Sequence, residues 1–330
     1  MSNGLLAALQ AVEDQGPVRL VEVDELPDDG LVMVCGSIGA PTVGIEKLGG
    51  ATEAALLRSV IERELGRPVT ALMPAEIGGA NGLQPIAWAA QLRLPVVDAD
   101  GMGRAFPEMQ QLSMYAAGMS AMPCVLADAR GNTLVIRPID GVWLERVARA
   151  VATVFGGTAA AASYLATTEV RETAVRGSVS LASRIGQAIA NRDNPVTGLI
   201  DGLGASRLLV GRVMDVERHT TNGFVRGSVV LEGLGADAER LLRLEIQNEN
   251  LVALEDGQVL ASVPDIITVL DTQSGDAIST ERLRYGQRVT AIAFPCAPVW
   301  RTPAGLALAG PRAFGYDFDY VPAAETVLAR

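Results

Sequence analysis

Two short stretches concentrate the side chains that could do chemistry. Val69 to Met73 runs into Glu76, Gly78, Gly79 and Asn81, and Leu94 to Val97 runs into Asp98, Asp100, Gly101, Gly103, Arg104 and Glu108. Each apolar run reads as a buried strand, and in an α/β sheet the loops at the carboxyl ends of strands are where ligands bind. Glu76, Asn81, Asp98, Asp100, Arg104 and Glu108 are therefore expected to converge on one site. Asp98 and Asp100 are two residues apart, so in an extended segment their carboxylates face the same side. Two carboxylates sharing a site push one pKa upward, which would leave one as acid and the other as base, with Glu76 beside them. Arg104 carries a permanent forked charge suited to a carboxylate or to a planar, oxygen-bearing ring. The glycines let backbone amides approach a ligand closely. An Asp-Ala-Asp-Gly turn with solvated carboxylates is the alternative that these residues leave open.

The elements that must position these loops alternate. Val18 to Val23, Leu31 to Cys35, Val69 to Met73, Leu94 to Val97, Cys124 to Ala127 and Thr133 to Arg137 read as short apolar strands. Helical patterns lie between several of them, at Thr52 to Leu65 and Leu83 to Leu92, and Asp140 to Phe155 is a further amphipathic helix stopped by Gly156-Gly157. This predicts an α/β N-terminal domain over 1–166 with a mostly parallel sheet. Thr168 to Asn191 reads as one long helix ended by Asp193-Asn194-Pro195, so 167–195 is expected to be a connecting helix. From Arg207 onward the period changes to two, with Gly, Asp and Asn turns, which predicts a β-rich (α+β) C-terminal domain over 196–330. The expected site lies in the cleft between the two domains.

Composition excludes several classes. A net charge of -11 disfavours a nucleic-acid partner, which needs a basic surface. No run reaches the roughly 18 uninterrupted apolar residues of a membrane span, and acids at Glu13 and Asp14 interrupt the N-terminus early, so a cytoplasmic protein with no membrane association is expected. The sequence is 49% hydrophobic and only 4% aromatic, and its mean hydropathy of +0.26 is high. Part of that surplus is assigned to a subunit interface, hence a homo-oligomer. Cys35, Cys124 and Cys296 are odd in number and far apart, which favours buried thiols over a disulfide framework or zinc site. Cys35, at a strand end before Gly36-Ser37, keeps a nucleophile reading open. The single histidine, His219, lies in a strand end entering a hairpin and is expected at the surface. Gly202-Leu203-Gly204 lacks the third glycine of a dinucleotide fingerprint and no phosphate loop is present, so no organic cofactor is expected. A divalent cation held by Asp98, Asp100, Glu76 or Glu108 is the metal reading that oxygen ligands leave open.

The wording of the motifs adds a resemblance. Gly39-Ala40-Pro41-Thr42-Val43 with Glu46-Lys47, Glu76 to Asn81, Val97 to Glu108, Gln247-Asn248-Glu249-Asn250-Leu251, Pro264-Asp265 and Gly310 to Asp317 resemble, in order along nearly the whole chain, the S-methyl thiohydantoin desulfurase family. The resemblance implies hydrolytic removal of methanethiol from an S-methyl thiohydantoin-like ring. Asp98, Asp100 and Glu76 would then be catalytic, and Asn81, Arg104, Glu108, Asn248, Asn250 and Arg312 would contact the heterocycle. Asn248 to Leu251 also reads as an ordinary hairpin, and Gly310 to Asp317 as a structural turn. Members of the family usually open on a glycine-rich Gly-Thr-Gly-Gly-Gly-Gly loop, for which this chain has no counterpart before Leu5. Such loops present N-H groups to oxyanions, so slow turnover with ligand binding retained is expected. A non-catalytic metabolite-binding protein and a partner subunit in hydantoin or oxoproline metabolism are the alternatives.

Overall fold

The computed structural model describes residues 3–40, 43, 52–190, 195–221 and 224–323. Pro41, Thr42, Glu46, Lys47, Asp193, Asn194, Asn222 and Gly223 lie outside them. The chain divides into two compact units, Met1–Ser180 and Leu181–Arg330.

In the first unit, helix α1 (Asn3–Gln15) leads to strand β1 (Leu20–Val21) and then to β2 (Leu31–Gly39). Helix α2 (Glu53–Leu65) buries Ala54, Leu57, Val60 and Ile61 and stops at Gly66, whose φ of 65° ends it in a left-handed cap. Strand β3 (Ala71–Pro74) and helix α3 (Gly79–Leu92) follow, then β4 (Val96–Val97), β5 (Ala99–Asp100) and the short helix α4 (Ser113–Ala116). Strands β6 (Cys124–Ala127) and β7 (Thr133–Ile136) form a hairpin. Helix α5 (Gly141–Val154) is capped by the Asp140 carboxylate, which accepts from the Trp143 N-H, and buries Leu144, Ala148 and Ala152 along one stripe. Strand β8 (Thr158–Ala166) completes the sheet.

The seven strands are ordered β1-β4-β3-β2-β8-β6-β7. Only β1-β4, β4-β3 and β3-β2 are parallel; β2-β8, β8-β6 and β6-β7 are antiparallel. The sheet is therefore mixed, not mostly parallel. The difference is β8, whose Ala159 to Ala162 run is buried between β2 and β6. Alanine has weak strand preference, and the segment after Gly156-Gly157 carries no strand pattern of its own.

The single helix expected over 167–195 is also corrected. The chain forms helix α6 (Thr167–Thr173), strand β9 (Val175–Arg176) and helix α7 (Ser178–Ala190). Gly177, at φ 71°, turns the chain between them, and β9 pairs antiparallel with β5 in a separate ribbon. Backbone pairing to the Asp98 loop thus overrides local helical preference.

In the second unit, helix α8 (Pro195–Leu203) precedes strands β10 (Ser206–Thr221), β11 (Phe224–Gly233), β12 (Leu241–Gln247), β13 (Glu249–Glu255), β14 (Gln258–Asp271) and β15 (Arg288–Phe294). Consecutive strands pair antiparallel and β15 returns to β10, so the β-rich domain is a closed barrel. Inward residues such as Leu209, Val213, Val229, Leu231, Leu242, Leu244 and Val269 fill it. Helix α9 (Pro303–Ala309) and a 3-10 turn at Pro311–Phe314 follow.

Candidate functional site

The parallel half of the sheet brings the carboxyl ends of β3 and β4 side by side, and the backbone then stitches their loops together. Gly101 N-H donates to Ala75 O at 3.0 Å, and Ala75 N-H donates to Cys35 O at 2.9 Å. Gly101 is glycine for a reason of space: a Cβ there would stand 2.7 Å from Ala75 O and 2.5 Å from Leu112 Cδ2.

Asp100 locks this crossing. Its carboxylate accepts from Ile77 N-H at 2.9 Å and Met102 N-H at 3.0 Å, and both of its oxygens accept from Gly103 N-H, at 2.8 and 2.9 Å. Gly103, at φ 69°, curls the loop back to make this possible. Asp100 is 0% exposed; burial pushes its pKa up to about 6, against the opposing pull of the N-H donors. The rise is thus an effect of desolvation and not of a neighbouring Asp98. Asp98 is also buried, but its carboxylate accepts from Ser180 N-H at 2.9 Å, in the first turn of α7. It satisfies a helix-terminal donor. The two aspartates expected to act as a pair are held by different donor sets.

The group that shares Asp100's surroundings is Glu76. One Glu76 oxygen accepts from the Asn81 amide at 2.7 Å and the other from Phe106 N-H at 3.3 Å. Burial pushes its carboxyl up to about 7; the Asn81 and Phe106 donors and the Arg104 charge pull it down, and the Asp100 charge raises it further. A carboxyl group that titrates near neutrality, partly exposed and flanked by a fixed cation, suits proton transfer. Arg104 is buried; its Nε donates to Ala105 O at 3.0 Å and its guanidinium lies 4.6 Å from the Phe106 ring centre. Asn81 is a bracket between elements: its side-chain oxygen accepts from Ser37 N-H at 2.8 Å and its amide donates to Ser37 O at 3.2 Å, tying α3 to the end of β2 while holding Glu76.

The remaining expected residues have local partners of their own. Glu108 accepts from the Gln110 amide and its N-H donates to the Gln111 side chain at 3.1 Å, closing a local turn. Asn248, at φ 58°, sits at the β12-β13 turn, where its carbonyl accepts from the Thr280 hydroxyl. Asn250 is buried in the barrel wall and donates to Ile267 O at 3.2 Å. Exposed Arg312 donates to Asp317 and Asp319 at 2.8 and 2.9 Å. Asp265 of the Pro264-Asp265 motif is a structural clamp, accepting from Cys296 and Ala323 N-H groups, each at 3.0 Å, and from Arg301 at 3.1 Å. Cys35 is buried with its thiol facing Met33 and Met73 carbonyls, and burial drives its pKa far up, which removes the nucleophile reading. Among the described residues no group of three or more His, Cys, Asp or Glu is arranged to hold a metal ion, and no helix is long and apolar enough to cross a membrane. Sequence reasoning missed Ser37, Phe106 and Ser180, whose backbone groups make the hydrogen bonds to Asn81, Glu76 and Asp98 and leave no mark on residue type.

Comparison with known proteins decides the family. The model of the S-Me-THD-like N-terminal domain matches residues 1–138, and that of the S-Me-THD-like C-terminal domain matches residues 139–323. The chain belongs to the S-Me-THD-like family. Its S-Me-THD-like fold is similar to the crystal structure of a protein from Chromobacterium violaceum, at 25% identity and a TM-score of 0.79, with 97% of this chain and 93% of that chain covered. A search of the curated proteins finds no match. Both S-Me-THD-like domains are thus present in order, with the Glu76 group in the N-terminal one.

Proposed function

We propose that this S-Me-THD-like protein hydrolyses an S-methyl thiohydantoin-like ring, releasing methanethiol, with Glu76 as the acid-base group. In that reaction a water oxygen attacks the thioimidate carbon, the carbon-sulfur bond breaks, and a ring carbonyl forms. The water gives up both protons: one is passed to the departing methanethiolate, and the other ends on the ring nitrogen as its double bond to the attacked carbon becomes single. Glu76 serves the first of these transfers if it accepts that proton and returns it to sulfur. A carboxyl near neutrality is suited to both directions. The Arg104 guanidinium orients the ring and offsets developing negative charge. Asp100, Asp98 and Asn81 are positioning residues in this reading: they fix the loops on which Glu76 and Arg104 sit.

The observation that carries the reading is the Glu76 carboxyl, raised toward neutrality while its two oxygens are held by Asn81 and Phe106 beside Arg104. Methanethiol release from an S-methyl thiohydantoin, followed with a thiol reagent, tests it. Glu76→Gln should lower kcat about a hundredfold or more while leaving ring binding largely intact. Ring binding without methanethiol release by the unmodified chain would favour a binding protein, and loss of neither on substitution would remove Glu76 from the chemistry.

A further inference from the structure

Ser37, near the carboxyl end of β2, holds two side-chain amides of helix α3 at once. Its N-H donates to the Asn81 side-chain oxygen at 2.8 Å and its carbonyl accepts from the Asn81 amide at 3.2 Å, while its hydroxyl donates to the Gln84 side-chain oxygen at 2.8 Å. Asn81 and Gln84 stand at i and i+3 of α3, so their side chains adjoin on one helix face. The Asn81 amide also reaches Glu76 at 2.7 Å, which sets the Gln84 amide one side chain away from the Glu76 carboxyl. Strands β2 and β3 are parallel neighbours, so Ser37 and Glu76 lie at the same edge of the sheet. Ser37 is exposed and Gln84 half-buried, and all four residues belong to the first unit.

The two amides are not equivalent. Asn81 uses both ends, its oxygen on Ser37 and its nitrogen on Ser37 and Glu76, and so already ties α3 to β2 twice. The Ser37-Gln84 bond adds a third tie between the same two elements, and a solvent-facing hydrogen bond contributes little to stability. Its effect is orientation. With Oε1 turned to the Ser37 hydroxyl, Nε2 faces the other way, and its two N-H donors meet no acceptor among the described residues. Resting on the proposal that the heterocycle sits against Glu76, we infer that Gln84 determines specificity by donating from Nε2 to the ring carbonyl. In an S-methyl thiohydantoin one ring nitrogen separates that carbonyl from the attacked thioimidate carbon. A donor one side chain along from Glu76 therefore meets the carbonyl while Glu76 faces the reacting carbon. The carbonyl is unchanged by the reaction, so the bond is the same in substrate, transition state and product and contributes binding, not rate.

Isothermal titration of the full chain with hydantoin reads this bond without requiring turnover. Gln84→Leu removes both ends of the amide, whereas Gln84→Glu keeps an acceptor for the Ser37 hydroxyl and turns the donor into a second carboxylate oxygen. Both variants should bind hydantoin roughly tenfold more weakly than the unmodified chain, with the melting temperature unchanged. In methanethiol release both should raise KM by a similar factor and change kcat by less than about twofold. Hydantoin binding unaltered in Gln84→Glu would assign Gln84 to the tie between β2 and α3 and overturn the inference. A fall in kcat with KM unchanged, or no heat from the unmodified chain with hydantoin at millimolar concentration, would overturn it as well. Hydantoin binding that depends on Gln84 without any methanethiol release would leave Gln84 on the ring carbonyl and overturn the Glu76 chemistry alone.

Discussion

Glu76 carries opposing influences that make it a measurable group. Its carboxyl is raised from an ordinary 4.5 to about 7, with burial as the largest cause. The native state therefore holds a proton there that the unfolded chain releases at lower pH, and linkage fixes the sign: this group's contribution to stability falls as pH rises from about 4.5 to about 7 and is complete below that window. Glu76→Gln should flatten the dependence and raise stability at pH 8 by about 2 kcal/mol, read from urea unfolding at pH 5 and pH 8. A stability difference between the two proteins that does not change with pH would mean that Glu76 is ionised like a surface acid. Much of this site was legible from residue type: an acid, an amide and a cation following two apolar runs mark Glu76, Asn81 and Arg104. The donors that each acid meets were not. A carboxylate two residues from another suggests a pair in sequence, whereas the Asp100 oxygens accept from three backbone N-H groups, and backbone donors have no sequence signature.

At the scale of elements, Asp100 and Gly101 are the joint between the β3 and β4 loops. Asp100→Ala would leave the Ile77, Met102 and Gly103 N-H groups without their acceptor, at a cost of roughly 3 kcal/mol or more. Gly101→Ala forces a Cβ against Ala75 O and Leu112 and should cost roughly 1–3 kcal/mol, although it removes no polar group. Chemical denaturation of both variants tests this; neutral effects would mean that the loops are held elsewhere. The helices that periodicity marked, such as α2 and α5, begin and end close to their caps because Gly66, Asp140 and Gly156 act locally. Strand β8 and the α6-β9-α7 break escaped such reading. Four consecutive alanines carry almost no strand signal, and the Val175-Arg176 ribbon exists only because Ala99 and Asp100 lie opposite it. Tertiary pairing decided both.

At the scale of the molecule, each unit has its own polar anchor. In the second, Asp265 is fully buried on β14 and draws in Ala323 near the end of the described chain, with Val321 N-H donating to the Ser262 hydroxyl at 2.9 Å beside it. Burial raises the Asp265 carboxyl, but the Ala323 and Cys296 N-H groups with Tyr320 and Arg301 outweigh it and hold the pKa below 3.8. Its stabilisation is present above an unfolded value near 3.9 and is lost as pH falls below that. Asp265→Asn should thus destabilise the protein at pH 7 and reduce the loss seen in wild type on acidification below pH 4, which thermal melts across that range would record; an unchanged acid limb would assign it to other carboxylates. That a β-rich domain would follow the α/β half was readable from the period-two strands after Arg207; its closure into a barrel was not, since β15-β10 pairing is a long-range register that no local pattern encodes. The most direct test of Glu76 as the proton-transfer group is the pH profile of kcat/KM for methanethiol release. The profile should break near pH 7, and the break should vanish in Glu76→Gln together with most of the rate. A profile without a break near neutrality, or one that Glu76→Gln leaves unaltered, would contradict the assignment.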